Sequence, residues 1–279
     1  MRRWSARSTT ATSLLAAALL LCGGFGAAAG EGAESLMDAV ERLGAMPDGQ
    51  SRSRLRAACG GDALCVAQRL AALPGGRFVL RPVAPPDSDS IRWAVTLPSL
   101  VEARRLPDGR LYLRLDGFGR KAEAELRVAF EELTDGPTAL LLDLRHNRGG
   151  DFGRMLRIAA GFAGPRPDAL QLAGTAAETA QALPEVAAFG AVCDLTVAVG
   201  PETASSGEVL AALLARYAGA ALVGETTAGK DYLLRVLPVD QDWQLLVPAE
   251  RIVVPGVTLA GGLTPASAAT EPGKGGCGS

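Results

Sequence analysis

Two hydrophobic periods alternate along the chain. Leu36, Val40 and Leu43 recur at helical spacing, and a second helical pattern over residues 64–73 stops at Pro74-Gly75-Gly76. Residues 77–80 and 91–96 read as short strands on either side of a Pro/Asp/Ser loop. Pro107-Asp108-Gly109 is a turn signal, and residues 111–115 then alternate like a half-buried strand. Residues 121–133 place Leu126, Phe130 and Leu133 on one helical face. Ala139-Leu140-Leu141-Leu142-Asp143-Leu144 is a continuous apolar run, as expected of a parallel strand covered on both faces. A helix over 155–162, a strand over 195–199, a helix over 207–217 and a strand over 220–223 follow, with further strands within 232–254. This alternation predicts an α/β fold with a parallel sheet flanked by helices, preceded by a small helical region.

The N-terminus changes the picture of where the protein works. Arg2 and Arg3 precede an apolar run over residues 14–21 that is too short to span a bilayer, and Ala27-Ala28-Ala29 is a small-residue cleavage site. Residues 1–29 are therefore read as a signal peptide cleaved near Ala29, with export to the periplasm or the extracellular space. Cys22 offers a lipidation alternative, against which stands the bulky Leu21 before it. After the leader, Cys59, Cys65, Cys193 and Cys277 remain. An even count in an oxidising compartment suggests Cys59–Cys65 and Cys193–Cys277 disulfides, with free thiols as the plain alternative.

Composition excludes several functions. Aromatic residues make up only 5% of the chain and the formal net charge is −2 without a basic block, so a nucleic-acid platform is not expected. No other segment is long and apolar enough for stable membrane insertion. His146 is the single histidine, which rules out hydrolysis by a metal held on clustered histidines. A Ser-His-Asp triad would have to use that residue.

Three polar segments fall at ends of expected strands, where open α/β sheets place their sites. The first is Asp143-Leu144-Arg145-His146-Asn147-Arg148-Gly149-Gly150. Its glycines allow close backbone approach and turn N–H groups outward, as an oxyanion hole requires; a chemically silent tight turn is the alternative. The second, Pro201-Glu202-Thr203-Ala204-Ser205-Ser206-Gly207-Glu208, opens a helix. A serine there sits beside free amides and the positive end of the helix dipole, although Ser205 with Glu208 also reads as an ordinary capping box. The third is Gly224-Glu225-Thr226-Thr227-Ala228-Gly229-Lys230. A phosphate loop would need Ser or Thr after the lysine, and Asp231 stands there instead; a solvated lysine is the other alternative.

Taken in order, these segments resemble the tail-specific (C-terminal-processing) protease family, peptidase family S41, whose catalytic core belongs to the ClpP/crotonase-like group. The first matches Asp-Leu-Arg-x-Asn-x-Gly-Gly, the second the Ser-rich segment ending in Glu, and the third Gly-Glu-x-Thr-x-Gly-Lys. Pro255-Gly256 and Gly261-Gly262-Leu263-Thr264-Pro265 resemble the family's closing element. The register implies Ser205 as nucleophile and Lys230 as general base. It also implies an oxyanion hole from the amides of Ser206 and of Gly149 or Gly150, with no metal or cofactor. The implied activity is that of an exported serine endopeptidase acting on proteins or peptides through an acyl-enzyme. A lysine serves as a base only where burial favours its neutral form, so a dry pocket around Lys230 is expected.

Two departures accompany the resemblance. Asp231 and Leu234 replace a Gly and a lysine-orienting Gln; Leu234 is expected to help exclude water, and Asp231 to point away. The Gln loss keeps a second reading open, a catalytically impaired peptide-binding scaffold. A crotonase-type acyl-CoA enzyme fits poorly with export. The region before residue 109 lacks the carboxylate loop of a PDZ domain, implying a PDZ-less member. The expected organisation is signal peptide 1–29, helical region 30–76, catalytic domain 77–270 and a flexible glycine-rich tail 271–279. Oligomeric state is left open.

Overall fold

The computed structural model describes residues 32–74, 77–83, 99–175 and 177–266. The leader, the expected strand at 91–96 and the tail with Cys277 lie outside them. Two sheets organise the rest. Strands β2 (Leu100–Arg105), β3 (Leu111–Leu115), β4 (Thr138–Asp143), β7 (Val192–Val199) and β8 (Ala221–Gly224) form one sheet in the order β2-β3-β4-β7-β8. Within it β3, β4, β7 and β8 are mutually parallel, and β2 is an antiparallel edge. The fold is therefore mixed α/β with the expected parallel strands.

The parallel strands form because they are apolar on both faces. Every residue of β4 is buried. Leu140 and Leu142 face helices α4 (Ala122–Leu133), α5 (Phe152–Ala163) and α6 (Ser206–Tyr217), in a core that also holds Leu113, Leu126, Ile158, Val197 and Leu210. Leu141 faces the other way, with Tyr112, Ala198 and Val223. Each fully buried leucine stabilises the fold by about 1.5–3 kcal/mol in transfer terms. The parallel crossovers carry α4 from β3 to β4 and α6 from β7 to β8, so the three polar segments all emerge at the carboxyl ends of adjacent strands.

The second sheet is antiparallel: β1 (Val79–Pro82), β10 (Trp243–Val253), β5 (Arg166–Ala173) and β6 (Glu178–Leu183), with β9 (Tyr232–Pro238) paired to β10. Helices α1 (Ala33–Arg42), α2 (Arg52–Cys59) and α3 (Ala63–Ala71) pack on it. Leu36, Met37, Val40, Leu55, Val66 and Leu70 share a second core with Phe78, Val239, Leu245 and Val247, so the helical region closes on strands of the catalytic part. Cys59 and Cys65 form the expected disulfide across the α2–α3 turn. Cys193 is also disulfide-bonded; its expected partner Cys277 lies outside the described residues. Among the described residues no helix is long and apolar enough to cross a membrane.

Candidate active site

At the end of β4, Asp143 is buried but not unpaired. Its carboxylate accepts from Tyr112 Oη at 2.8 Å and from Arg145 Nε and Nη2 at 3.0 and 2.6 Å. Burial pushes the Asp143 carboxyl up, yet the Arg145 and Tyr112 hydrogen bonds outweigh it and hold the group below the ordinary carboxylate value. Desolvation, together with the hydrogen bond to Asp143, lifts Tyr112 to about 12. This tie fixes the exit of the strand. Asn147, fully buried, shapes the turn that follows. Its Nδ2 donates to Leu115 O at 3.0 Å, its Oδ1 accepts from Gly149 N at 2.9 Å, and its carbonyl accepts from Ala204 N at 3.0 Å.

Gly149 has φ 98°, and a Cβ there would lie 3.0 Å from both Ser205 Cβ and Ala204 O. Only glycine lets this turn press so closely on the second segment. Its N–H, however, is taken by Asn147 Oδ1. Of the expected oxyanion donors, this leaves Gly150 and Ser206 as candidates. Ser206 is buried and its Oγ donates to Gly150 O at 3.1 Å, tying those two residues together.

Ser205, half-buried, is the N-cap of α6 and adopts φ 54°, ψ −125°. It is the sole non-glycine residue with positive φ among the described residues. Such a conformation costs on the order of 1–3 kcal/mol and persists only when its surroundings over-determine it. Two neighbours do so. Thr203, on the approach from β7, donates from Oγ1 to Leu144 O at 2.8 Å and accepts from Gly200 N at 3.0 Å. Glu208, one turn into α6, accepts from Ser205 N at 2.9 Å through Oε2.

The same carboxylate reaches the third segment. Oε2 also accepts from Lys230 N at 2.8 Å, while Oε1 accepts from Gly229 N at 2.7 Å and Thr227 Oγ1 at 2.5 Å. Because one oxygen serves both amides, the Ser205 and Lys230 nitrogens are no further apart than those two bonds laid end to end. Ala228 N donates to Thr203 O at 3.0 Å, a second clasp between the loops. Thr227 Oγ1 in turn accepts from Leu263 N at 2.8 Å, which docks the closing glycine element against the lysine loop.

Not every expectation survives. Lys230 is exposed, so the dry pocket anticipated around it is absent from this state. Leu234 is 44% exposed and does not shield the amine. Asp231 does point away: it is buried and pairs with Arg251 at 3.2 Å. His146 is exposed beside Glu202, 3.4 Å from its carboxylate, rather than against Ser205. In the sequence Glu208 reads as a cap and as the last residue of the Ser-rich motif; its contacts with residues 227–230 cross between loops and leave no local signal.

Residues 110–265, more than half of the chain and all three loops, match the profile of peptidase family S41. The chain belongs to peptidase family S41. Residues of this S41 chain are also 29% identical, over 145 positions, to carboxyl-terminal-processing peptidase 1, chloroplastic, of Arabidopsis thaliana. That similarity covers 52% of the chain and only 30% of the plant protein. In overall fold it resembles a lipoprotein from Streptococcus agalactiae (TM-score 0.61, 15% identity, 85% of this chain and 91% of that one). It also resembles a putative peptidase from Parabacteroides merdae (TM-score 0.55, 14% identity, 84% and 80%).

Proposed function

We propose that this S41 protein is an exported serine endopeptidase, PDZ-less, in which Ser205 attacks the scissile carbonyl and Lys230 is the base. The observation that carries the reading is the shared Glu208 oxygen, which fixes the main chains of the two residues side by side. From there the four-carbon stem of Lys230 can bring its amine to the Ser205 hydroxyl. The neutral amine takes the Oγ proton as Oγ bonds to the carbonyl carbon. The oxyanion faces the amides of Gly150 and Ser206 at the positive end of α6. The lysine ammonium then returns its proton to the departing amine, leaving an ester on Ser205. Water, deprotonated by the same amine, hydrolyses that ester and frees the acid product. Because Lys230 is exposed in the free protein, the substrate itself must exclude water from it.

Export rests on the leader pattern and agrees with the Cys59–Cys65 and Cys193 disulfides, since such bonds persist in oxidising compartments. The plant relative's name, a carboxyl-terminal-processing peptidase, supports chain ends as one substrate class. The exposed Lys230 and the apolar Leu234 favour a second reading, a peptide-binding scaffold without turnover. Hydrolysis of an unfolded protein by wild type, Ser205→Ala and Lys230→Ala separates the two. Turnover by wild type alone supports the peptidase; equal inactivity of all three supports the scaffold.

A further inference from the structure

Seven large hydrophobic residues stand out as exposed among the described residues, and four of them lie on strands of the antiparallel sheet with their side chains on one face: Val79, Leu234, Val236 and Val253. The register explains the grouping. Val79 pairs with Leu246, which pairs with Val236 on its other side, so the three form one cross-strand row. Leu234 lies next to Val236 on that face, two residues nearer Lys230. The opposite face, carrying Leu245, Val247 and Leu237, is covered by α1–α3. That face is not apolar throughout, since Arg77 and Arg251 lie over the Tyr232 ring, so the exposed aliphatic contact nearest the candidate site is Leu234 with Val236.

β9 adds a second feature. It pairs with β10 alone among the described strands, so among the described residues its other edge is unpaired. Edges of this kind accept an extended peptide as an added strand, with main-chain hydrogen bonds for affinity and alternate side chains for selection. The strand also begins at Tyr232, two residues after Lys230, and is thus continuous with the candidate active site.

From these features we infer that β9 is the docking strand for substrate, taking an extended polypeptide segment with aliphatic side chains at alternate positions. The inference rests on the peptidase reading and deepens it. At about 3.3 Å per residue, Leu234 and Val236 lie roughly 13 and 20 Å along an extended segment from Lys230. They would contact side chains about four and six residues from the scissile bond. A chain laid here passes over Lys230 and supplies the water exclusion that the free protein lacks. The exposed aliphatic side chains on that strand, Leu234 and Val236, suit one peptide strand. A stable dimer needs about 800 Å2 from each partner, so a second copy is the poorer occupant.

The test uses the full chain carrying Ser205→Ala, so that binding is read without cleavage. Fluorescence anisotropy would measure a labelled peptide of alternating Val and Thr, the same peptide with Asp in place of Val, and the first peptide N-methylated at alternate amides in each register. Binding of the first, with at least about tenfold weaker binding of the Asp peptide and of one methylated form, is expected. Adding Leu234→Asp and Val236→Asp, both exposed sites on β9, should weaken the first peptide by a similar factor at unchanged thermal midpoint. Unchanged affinity in that variant overturns the inference, as does a concentration-dependent dimer that the two substitutions dissolve. If wild type cleaves nothing yet the peptide binds as described, the peptidase reading fails and the docking strand stands. If wild type cleaves and the substitutions change nothing, only the docking strand fails.

Discussion

Replacing Glu208 should uncouple the two halves of the site. Its carboxylate is 1% exposed and accepts four hydrogen bonds, three of them from the amides of Ser205, Gly229 and Lys230. Glu208→Ala leaves four donors without their acceptor. An unsatisfied buried donor costs about 1–3 kcal/mol, so the sum is on the order of 5 kcal/mol, even with water entering beside the exposed lysine. Against a typical domain stability of 5–15 kcal/mol, that variant should unfold roughly 10–20 °C early or not accumulate. Glu208→Gln is the sharper probe. The amide oxygen can keep the Ser205 and Lys230 amides, and the Thr227 hydroxyl can turn to accept. The new NH2 group would then face Gly229 N–H. One donor–donor clash and the loss of charge on the other bonds should cost about 2–3 kcal/mol in stability. If part of that strain is relieved by movement of the lysine loop, kcat should fall by about two orders of magnitude with KM little changed. Thermal unfolding and steady-state peptide hydrolysis on the same preparations measure both. A Gln variant with wild-type midpoint and wild-type kcat would refute the idea that this carboxylate holds nucleophile and base together.

Further outcomes follow from individual contacts. The Asp143 carboxyl is held below its ordinary value in the folded chain, so its ionisation stabilises the protein above the ordinary carboxylate range. That contribution disappears as pH falls below about 4. The gap in thermal midpoint between wild type and Asp143→Asn should therefore be wide at pH 6 and narrow towards pH 3; a pH-independent gap would contradict the ion-paired assignment. Leu234→Gln restores the polar residue usual in the family but removes an aliphatic contact of the docking strand, so kcat should rise several-fold while KM also rises, with little change in thermal midpoint; an unchanged KM would contradict the place of Leu234 in docking. His146→Ala removes only a surface contact with Glu202, so hydrolysis should stay within about twofold of wild type. A loss of a hundredfold or more would move His146 into the reaction.

Much of the parallel layer was legible because its strands are apolar throughout: the run over 139–144 has no helical period and became β4. The antiparallel sheet was less legible. β5 and β6 are rich in Ala, Gln and Glu, which carry little strand preference, and β5 is held by pairing with β10 rather than by its own sequence. α2 falls within the helical region expected over 30–76 but has no apolar pattern of its own, since Leu55 is its only buried residue. Its Arg52 instead pairs with Glu34, Asp38 and Glu41 of α1, contacts that sequence reads as solvated charge. In the site, the glycine turn, the capping serine and the lysine loop were visible as motifs at strand ends. That Asn147 occupies the Gly149 amide is a local contact two residues apart that the motif does not announce, whereas the span of Glu208 across two loops depends on tertiary closeness. The exposure of Lys230 was hidden for a related reason: flanking apolar residues such as Leu233 and Leu234 suggest burial, but they sit on an edge strand with one open face.

In the proposed reaction Ser205 carries the acyl group and Lys230 activates it. Incubating the full chain with an activated peptide ester, quenching in acid and mapping the adduct by mass spectrometry tests this directly. One acyl group on Ser205 is expected in wild type, with acylation at least a hundredfold slower in Lys230→Ala. An adduct on Ser206, or acylation of Ser205 at an unchanged rate without Lys230, would contradict it.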